Sequence, residues 1–369
     1  MKIICSKENL LNGINIVQKA VSTKTTLPIL EGILLNADEK FKLTGNDLEI
    51  GIECFVEADI RSTGTIVINA KMFGDIVRRL PDAEVLIEVT ENNLVVVECE
   101  NSHFEIKGIN PSGYPNLPLV EKENILSLTQ SDLKDMIRQT VFAVGTDENR
   151  PVLTGTLIEV NNKELNFVSI DGYRLALRKK LIDCDINDFS VIVPGKILNE
   201  ISKILQSNNE EVYVYNSNNQ IVFDTQSWRI VSRLIEGKFL NYNSLLNKEF
   251  ETKVIINNKE FQASLERASL ISMNDKNSPV KLFINYDKII ITSNTEIGNV
   301  REEIKCEIEG NNLEIGYNPT YLIDALKAID DERSAVYFIT TNAPCTFRPV
   351  IQNSEAFAYL VQAVRIWFI

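Results

Sequence analysis

The stretch IVINAKMFGDIVRRL, residues Ile66–Leu80, decides the fold because the chain repeats its pattern twice more. It returns as VIVPGKILNEISKIL at Val191–Leu205 and as IGYNPTYLIDALKAI at Ile315–Ile329. The copies recur every ~125 residues, and each joins a short apolar run to apolar residues at helical spacing. Each copy therefore predicts one strand followed by one amphipathic helix. Three copies in 369 residues indicate an architectural protein rather than an enzyme with a single pocket.

A second strand–helix motif keeps the same period. It reads IICSKENLLNGINIVQKAV at Ile3–Val21, ILSLTQSDLKDMIRQTVFAV at Ile125–Val144 and KVIINNKEFQASLERASL at Lys253–Leu270. Alternating runs such as FKLTGNDLEIGIEC, Phe41–Cys54, lie between the motifs and are typical of half-buried antiparallel strands. We therefore expect an α+β fold of three tandem domains, each with two helices on antiparallel sheets. The turn-rich joints place the domains at residues 1–122, 123–250 and 251–369. The six predicted helices are Ser6–Val21, Asn69–Leu80, Ser131–Ala143, Gly195–Leu205, Asn258–Leu270 and Pro319–Ile329.

Composition indicates a folded cytoplasmic protein. Apolar residues make up 44% of the chain and charged residues 24%, which is enough to build real cores. The six cysteines are scattered and form no C-x-x-C pair, as expected for reduced, mostly buried thiols. No apolar run reaches the length of a signal peptide core or a membrane span.

The sequence contains little that indicates catalysis. The only histidine, His103, lies in a predicted strand, and nucleotide-binding, hydrolase and zinc-site motifs are absent. We therefore expect no catalytic residue, no metal and no cofactor. One alternative stays open: Asp171, Tyr173 and Arg174 in VSIDGYRLAL would form the site of an enzyme or scaffold that reuses the repeat. The competing interpretation of this segment is an Asp-Gly turn between two strands.

Charge is distributed unevenly between the predicted helices and the rest of the chain. The whole chain carries −13, whereas the six predicted helices sum to +4 and the remainder to −17. Pairs such as Lys71 with Arg78 and Lys196 with Lys203 share the helix face opposite the apolar stripe. An acidic protein with a basic set of equivalent helices would hold a polyanion on one surface and repel it elsewhere.

Five segments, taken in order and spacing, resemble the bacterial sliding clamp, the beta subunit of the replicative DNA polymerase. They are TLPIL at Thr26–Leu30, RPVLTG at Arg150–Gly155, DGYRLAL at Asp171–Leu177, VPGK at Val193–Lys196 and AYLVQAVRI at Ala358–Ile366. The resemblance implies a head-to-tail homodimer that closes a ring of six domains around duplex DNA. It also implies a non-catalytic tether for the replicative polymerase, the clamp loader and repair proteins, which bind through short Gln-Leu-x-Leu-Phe-like peptides.

The resemblance also assigns site residues by position. The DNA-binding candidates are Lys24, Lys71, Arg78, Arg150, Lys196 and Lys203, with Arg267 and Lys327 as weaker matches in the third repeat. The candidates for the partner-peptide groove are Leu153, Ile170, Gly172, Tyr173, Arg174, Leu175, Leu240, Leu245, Thr346, Leu360, Gln362, Ala363, Val364 and Arg365. The expected dimer interface joins Phe104 and Ile106 of one chain to Leu270 and Ile271 of the other.

The chain departs from the family pattern at this groove. Leu240 stands where the family usually has proline, and Gln362 and Ala363 replace its usual apolar–proline pair. Three apolar residues, Trp367–Ile369, follow the usual end. One hypothesis is that this tail competes with partner peptides for the groove, and the alternative is that it frays in solvent.

Overall fold

The computed structural model describes residues 1–22, 25–183, 186–217, 219–246, 249–272, 279–350 and 356–364. Lys24, Arg365 and the tail Trp367–Ile369 lie outside the described residues. The chain forms two compact units, one of residues 1–131 with 203–234 and the other of residues 132–202 with 235–369. None of the helices in the described ranges is long and apolar enough to cross a membrane.

All six predicted helices are present, and a short seventh helix lies in a connector. Their bounds are α1 Lys7–Val17, α2 Ala70–Arg79, α3 Gln130–Arg138, α4 Gly195–Ile204, α5 Asn243–Leu246, α6 Asn258–Ser272 and α7 Pro319–Ala328. Side-chain caps fix several starts: Ser6 accepts from the Asn9 amide at 3.1 Å and Asn69 from the Met72 amide at 3.0 Å. The first and third predicted helices were too long, because each ends in a 3₁₀ turn, at Gln18–Ala20 and Val141–Ala143.

The strands number nine, eight and nine in the three successive repeats, within the residues that the structure describes. The first repeat has β1 Lys2–Ser6, β2 Gly32–Ala37, β3 Phe41–Asn46, β4 Ile50–Val56, β5 Asp59–Ser62, β6 Gly64–Asn69, β7 Glu84–Val89, β8 Leu94–Cys99 and β9 Ser102–Lys107. The second has β10 Leu126–Thr129, β11 Gly155–Asn161, β12 Glu164–Ile170, β13 Arg174–Leu181, β14 Phe189–Pro194, β15 Glu211–Asn216, β16 Gln220–Asp224 and β17 Trp228–Arg233. The third has β18 Thr252–Asn257, β19 Val280–Asn285, β20 Lys288–Thr295, β21 Gly298–Lys305, β22 Glu307–Gly310, β23 Leu313–Tyr317, β24 Arg333–Phe338, β25 Cys345–Pro349 and β26 Phe357–Val361.

The strands form four antiparallel sheets, two in each unit. The first unit holds the sheets β5-β1-β7-β8-β9 and β10-β15-β16-β17-β4-β3-β2-β6. The second unit holds the sheets β14-β11-β12-β13-β26-β25-β24-β18-β22 and β21-β20-β19-β23. Helices cover these sheets: α1 packs on α2, β3 and β4, and α6 packs on α7, β20 and β21. The predicted α+β architecture of three tandem repeats is confirmed.

Strand register is the same in all three repeats. Ile66 pairs with Leu35, Val191 with Ile158 and Ile315 with Leu282. Ile66, Val191 and Ile315 are also the first residues of the three sequence copies. The period in sequence is therefore a period in hydrogen bonding, because a slip of one residue would turn every core side chain outward.

Two antiparallel junctions join successive repeats into continuous sheets. At the first junction β17 pairs with β4, and at the second β26 pairs with β13. The equivalent strands that remain, β9 in the first repeat and β21 in the third, are edge strands of their sheets. The predicted exposed edge at β9 is thus confirmed.

Candidate partner groove and basic helix faces

A tight turn between β12 and β13 builds the centre of the predicted groove. The Asp171 carboxylate accepts the backbone amides of Tyr173 at 2.8 Å and Arg174 at 3.0 Å. Gly172 has φ +99, a left-handed conformation that glycine adopts without steric cost. The turn leaves the Tyr173 side chain 61% exposed, whereas Leu175 two residues later is buried.

Arg174 is held by a buried network behind this turn. Its guanidinium donates to Asp171 at 2.9 Å, to Asp324 at 2.5 Å and to the Phe142 carbonyl at 2.8 Å. It also lies 4.5 Å from the centroid of the Tyr321 ring, a cation–π distance. Burial by itself would lower the pKa of Arg174, but the hydroxyl of Tyr359 and the two carboxylates raise it above its ordinary value.

This network decides between the two interpretations of the Asp171 segment. One Asp171 oxygen accepts two backbone amides and the other accepts the Arg174 guanidinium. Both oxygens therefore hold the turn, which is the geometry of the structural alternative rather than of an active site. Arg174 positions the turn, since its donors face inward and its side chain is only 12% exposed.

The floor of the predicted groove is a buried apolar cluster in the second unit. Leu153, Ile170, Leu175 and Leu360 belong to it and are each exposed by less than a tenth. Strand pairing explains the proximity, because Ile170 pairs with Leu175 and Leu175 with Leu360. The structure brings these four residues into one buried cluster, and their role in binding a partner peptide stays a prediction.

The rim combines exposed apolar side chains with backbone contacts. Tyr173, Leu240, Leu245 and Val364 are exposed by 61, 51, 38 and 37%, respectively. The backbone of Gln362 donates to the Tyr173 carbonyl at 2.8 Å, which ties the end of β26 to the β12–β13 turn. Thr346 pairs with Leu360 one strand further along, and Ala363 packs partly buried on the neighbouring core.

A pocket open to solvent adjoins this floor. It has a volume of about 550 Å³ and is lined by Leu157, Glu159, Ser190 and residues 237–243, so Leu240 borders it. Tyr242 joins the pocket to the floor cluster, and its hydroxyl donates to Glu159 at 2.6 Å. Burial raises the pKa of Tyr242, so the hydroxyl keeps its proton at neutral pH.

Two tyrosines of this site were absent from the sequence prediction. Tyr321 in α7 stacks on Tyr173 with the ring centroids 6.5 Å apart, and Tyr242 seals the floor. A signal for Tyr321 existed, because the third copy of the strand–helix motif has a tyrosine where the others have Met72 and Ile197. Tyr242 gave no signal, since it lies in a connector without periodicity.

The basic candidates lie on exposed helix faces in the first and second repeats. Lys71 in α2 and Lys196 in α4 are exposed, while Phe73 and Ile201 on the opposite faces are buried. Arg78 is exposed and pairs with Asp75 at 2.9 Å. Arg150 is exposed before the 3₁₀ turn Pro151–Thr154 and pairs with Asp147 at 3.0 Å. Lys203 is exposed near the end of α4.

The weaker candidates of the third repeat are locally neutralised. Arg267 in α6 pairs with Glu302 of β21 at 2.5 Å, and this hydrogen bond raises the pKa of Arg267. Lys327 in α7 lies 3.9 Å from Glu266. Arg78 and Arg150 of the first two repeats are paired in the same way, with Asp75 and Asp147.

The candidate interface residues lie at sheet edges and helix ends. Phe104 on β9 is 38% exposed and Ile106 is 7% exposed. Leu270 near the end of α6 is 58% exposed, and Ile271 is half-buried. These residues leave apolar surface at both free edges.

The remaining reactive groups show no sign of a metal or redox site. No group of three or more potential metal ligands occurs among the described residues. Burial raises the pKa of the Cys5, Cys54 and Cys345 thiols to about 12, so these cysteines are inert at neutral pH. His103 is half-exposed and lies 2.9 Å from Glu98 and 3.5 Å from Glu105.

The chain matches the DNA polymerase III beta subunit in three consecutive parts. Residues 1–118 match its N-terminal domain, 127–241 its central domain and 243–364 its C-terminal domain. The chain belongs to this family. It is 37% identical to the beta sliding clamp of Bacillus subtilis strain 168, with all of both chains covered.

Solved structures agree with this assignment. A putative DNA polymerase III beta subunit from Eubacterium rectale is 39% identical, with a TM-score of 0.94 over 99% of this chain and 100% of that one. A sliding clamp from Pseudomonas aeruginosa, crystallised bound to griselimycin, is 27% identical with a TM-score of 0.94 and the same coverage.

Proposed function

We propose that this protein is a DNA sliding clamp that encircles duplex DNA as a head-to-tail homodimer. It tethers the replicative polymerase, the clamp loader and repair proteins to DNA and has no catalytic activity of its own. We place its three clamp domains at residues 1–122, 123–250 and 251–369, with connectors rich in turns between them. Buried, unpaired thiols support action in the reducing cytoplasm.

The observation that carries this proposal is the pair of unsatisfied strand edges. The first and second junctions are built from equivalent strands. The third set of equivalents, β9 and β21, pairs on one side only, with β8 and β20, and has no neighbour on the other side within the described residues. An edge strand presents a row of free backbone groups that favours pairing with another chain. Pairing β9 of one copy with β21 of a second joins two different surfaces, which makes the contact heterologous, or head-to-tail. Two such junctions between two copies close a ring.

The register of the third junction follows from the first two. Ile230 pairs with Ile52 at the first junction, and Tyr359 pairs with Ala176 at the second. Tracing the ladders across each repeat makes Phe104 equivalent to Ile230 and Tyr359, and Val300 equivalent to Ile52 and Ala176. Phe104 of one copy should therefore lie opposite the partner's Val300.

Burial supports this register. Ile230 and Tyr359 are both fully buried in their junctions, whereas Phe104 at the open edge is 38% exposed. The proposed pairing would cover Phe104. It also brings β9 beside α6, which carries Leu270 and Ile271 and packs on β21.

The basic helix faces fit a partner recognised through its phosphates. Lys71, Arg78, Lys196 and Lys203 lie opposite the buried helix stripes, and Arg150 is exposed as well. Lys24, outside the described residues, is assigned to the same set by position in the sequence. Lysine and arginine contacts to phosphate carry no base information, so a ring that holds DNA in this way can slide. The acidic remainder of the chain repels DNA from other surfaces.

The groove in the second unit fits a short extended peptide with apolar anchors. Its floor of Leu153, Ile170, Leu175 and Leu360 is preformed, and Tyr173 and Leu240 offer exposed apolar surface at the rim. A preformed apolar pocket with a few polar guides is the usual receptor for such a peptide. We therefore assign Gly172, Arg174, Leu245, Thr346, Gln362, Ala363, Val364 and Arg365 to the same partner site.

Topology provides the direct test of the proposed function. Protein assembled on a nicked circular plasmid should remain bound during gel filtration at high salt, and it should leave after a single restriction cut. Assembly on the circle requires a loader or transient ring opening by dilution, and the linear plasmid serves as the control. Equal retention on circular and linear DNA would refute encirclement.

A peptide titration tests the groove separately. A fluorescent peptide that ends in Gln-Leu-Ser-Leu-Phe should bind with 1:1 stoichiometry per chain, and Tyr173→Ala should weaken binding about tenfold. Leu181→Ala is the matched control, because Leu181 is 73% exposed and lies at the far end of β13, the strand that follows the Tyr173 turn. Equal losses in the two variants would place the peptide elsewhere.

A further inference from the structure

The outward-facing residue pair at the centre of each junction differs in chemistry. At the first junction Arg229 lies opposite Glu53, which places opposite charges face to face. At the second junction Ala358 lies opposite Leu177, an apolar pair. Cross-strand neighbours of these kinds stabilise a sheet, whereas like charges directly opposite each other destabilise it.

The ladders give the equivalent pair at the third junction. His103 in the first repeat occupies the position of Arg229 in the second. Each residue ends an equivalent row of paired residues across three strands, Leu86–Glu98–His103 and Tyr213–Asp224–Arg229. Arg301 holds the place of Glu53, since it lies in the row Lys281–Thr292–Arg301 as Glu53 lies in Leu34–Thr44–Glu53. The third junction therefore pairs a histidine with an arginine.

We propose that His103 and the partner's Arg301 make ring closure sensitive to pH, so that protonation of His103 loosens the junction between the two copies. This inference rests on the proposed head-to-tail ring and adds a regulatory property to it. The two junctions within the chain have no titratable group at the equivalent central position that changes charge near neutral pH. The closing junction differs from them in this respect.

The surroundings of His103 set the direction of the effect. On the same chain, Glu98 of β8 and Glu105 of β9 contact the imidazole at 2.9 and 3.5 Å. Hydrogen bonds to Glu98 and then Glu105 raise the pKa of His103 above its ordinary value of 6.5. Lys107 lies further along the same face of β9, and Glu88 in β7 is paired with Lys2 at 2.8 Å.

The second copy contributes mainly positive charge next to the imidazole. The partner's Arg301 lies opposite His103, and the partner's Asn299 lies opposite Glu105. Glu303 shares the face of Arg301 and accepts from it at 3.2 Å, but Glu303 also accepts from Lys288 at 2.8 Å. The partner's Arg301 is thus placed to form an ion pair with Glu105. Protonated His103 would compete with it for the same carboxylate.

The sign of the linkage follows from these contacts. In the open protein the two glutamates favour protonated His103, whereas in the closed ring the partner's Arg301 disfavours it. Closure therefore releases a proton, and a reaction that releases a proton is favoured as pH rises. Closure of the junction should therefore weaken as pH falls from about 8 to about 6, the range in which this histidine, with its raised pKa, takes up a proton.

The expected magnitude is modest because the groups are half-exposed and screened by solvent. A weakening of about threefold per junction is consistent with exposed charge pairs. A dimeric ring has two such junctions, so Kd should rise about tenfold between pH 8 and pH 6. His103 is the only histidine of the chain, so no other side chain with an ordinary pKa titrates in this window.

Sedimentation of the full-length protein tests the proposal. The dimer Kd of the wild type should rise about tenfold on going from pH 8 to pH 6, and His103→Gln should flatten this dependence. Arg301→Glu should reverse it, because a protonated His103 would then face a carboxylate. Lys238→Gln is the matched control, since it removes one positive charge from an exposed connector residue and leaves the contacts of His103 and Arg301 in place.

The outcomes separate the inference from the function on which it rests. A wild-type Kd that is constant with pH, or an unchanged slope in His103→Gln, overturns the proposed switch and leaves the ring intact. Failure of Arg301→Glu to reverse the slope also overturns it. A wild type that remains monomeric at every pH and at micromolar concentration refutes ring closure itself.

Discussion

Phe104→Ala is the substitution that tests ring closure most directly. The side chain lies on the open edge strand β9 and is 38% exposed, whereas its equivalents Ile230 and Tyr359 are fully buried within the chain's own junctions. Truncation to alanine removes the apolar surface that closure would bury. It leaves the backbone hydrogen-bonding groups of the edge unchanged.

The magnitude follows from the exposed area. A phenylalanine has roughly 200 Å² of accessible surface, so 38% corresponds to about 75 Å² that closure would remove from water. At about 25 cal/mol per Å² this surface contributes about 2 kcal/mol, of which alanine retains a small part. Two junctions then lose about 3 kcal/mol together, which raises the dimer Kd on the order of a hundredfold.

Sedimentation velocity over a dilution series measures this change. Leu119→Ala is the matched control, because Leu119 is 97% exposed in a connector and lies on neither edge strand. Thermal unfolding at low concentration reports any loss of stability within the monomer, since Phe104 is also partly packed there. A Phe104→Ala Kd within threefold of wild type would show that the β9 edge is not the closing surface.

Three further outcomes are expected. Replacing Leu270 and Ile271 together by aspartate should give monomers, and a double variant that still sediments as a dimer would place the interface elsewhere. Replacing both Lys71 and Lys196 by glutamine removes four lysines from the two-chain ring. The plot of log K against log salt on duplex DNA, measured by fluorescence anisotropy, should flatten by about four units, and an unchanged slope would exclude phosphate contacts there. Gly45→Ala should lower Tm by several degrees in calorimetry, because its Cβ would lie 2.3 Å from the Val17 carbonyl oxygen, and an unchanged Tm would contradict this packing.

The sequence predicted the repeated architecture because its signal is periodic at two levels. Apolar residues at helical spacing recur in each copy, and the copies themselves recur at nearly constant separation, so even helices with weak local signals are supported by their equivalents. The errors lie at helix ends. Two residues after α3 ends at Arg138, Thr140 has φ −129, and its hydroxyl donates back to the Met136 carbonyl at 2.7 Å, a local bond that spacing does not reveal.

The site was predictable where it lies on strands and less so where it lies on connectors. Ile170 pairs with Leu175 and Leu175 pairs with Leu360 on adjacent strands, so the three side chains share one face of the sheet and form one floor. Arg174 has a role that sequence alone did not assign, because its partner Asp324 lies 150 residues away and only the fold brings them together. Tyr242 was missed for a related reason. It lies in a connector, whose residues are placed by the surface they pack on and show no sequence periodicity.

The three junctions differ in strength in the way that a ring for DNA requires. A closed ring admits circular DNA only if one junction opens, and the two junctions within the chain are also held by the connectors, which keep their strands at high effective concentration. Their core-facing pairs are large, such as Trp228 with Cys54 and Ile230 with Ile52. The equivalent pairs at the closing junction are Ser102 opposite the partner's Glu302 and Phe104 opposite the partner's Val300, so less apolar surface meets there. In the proposed ring the closing junction would therefore have the smallest core contact and a titratable pair on its outer face, so its opening, unlike that of the other two junctions, would depend on concentration and solution conditions.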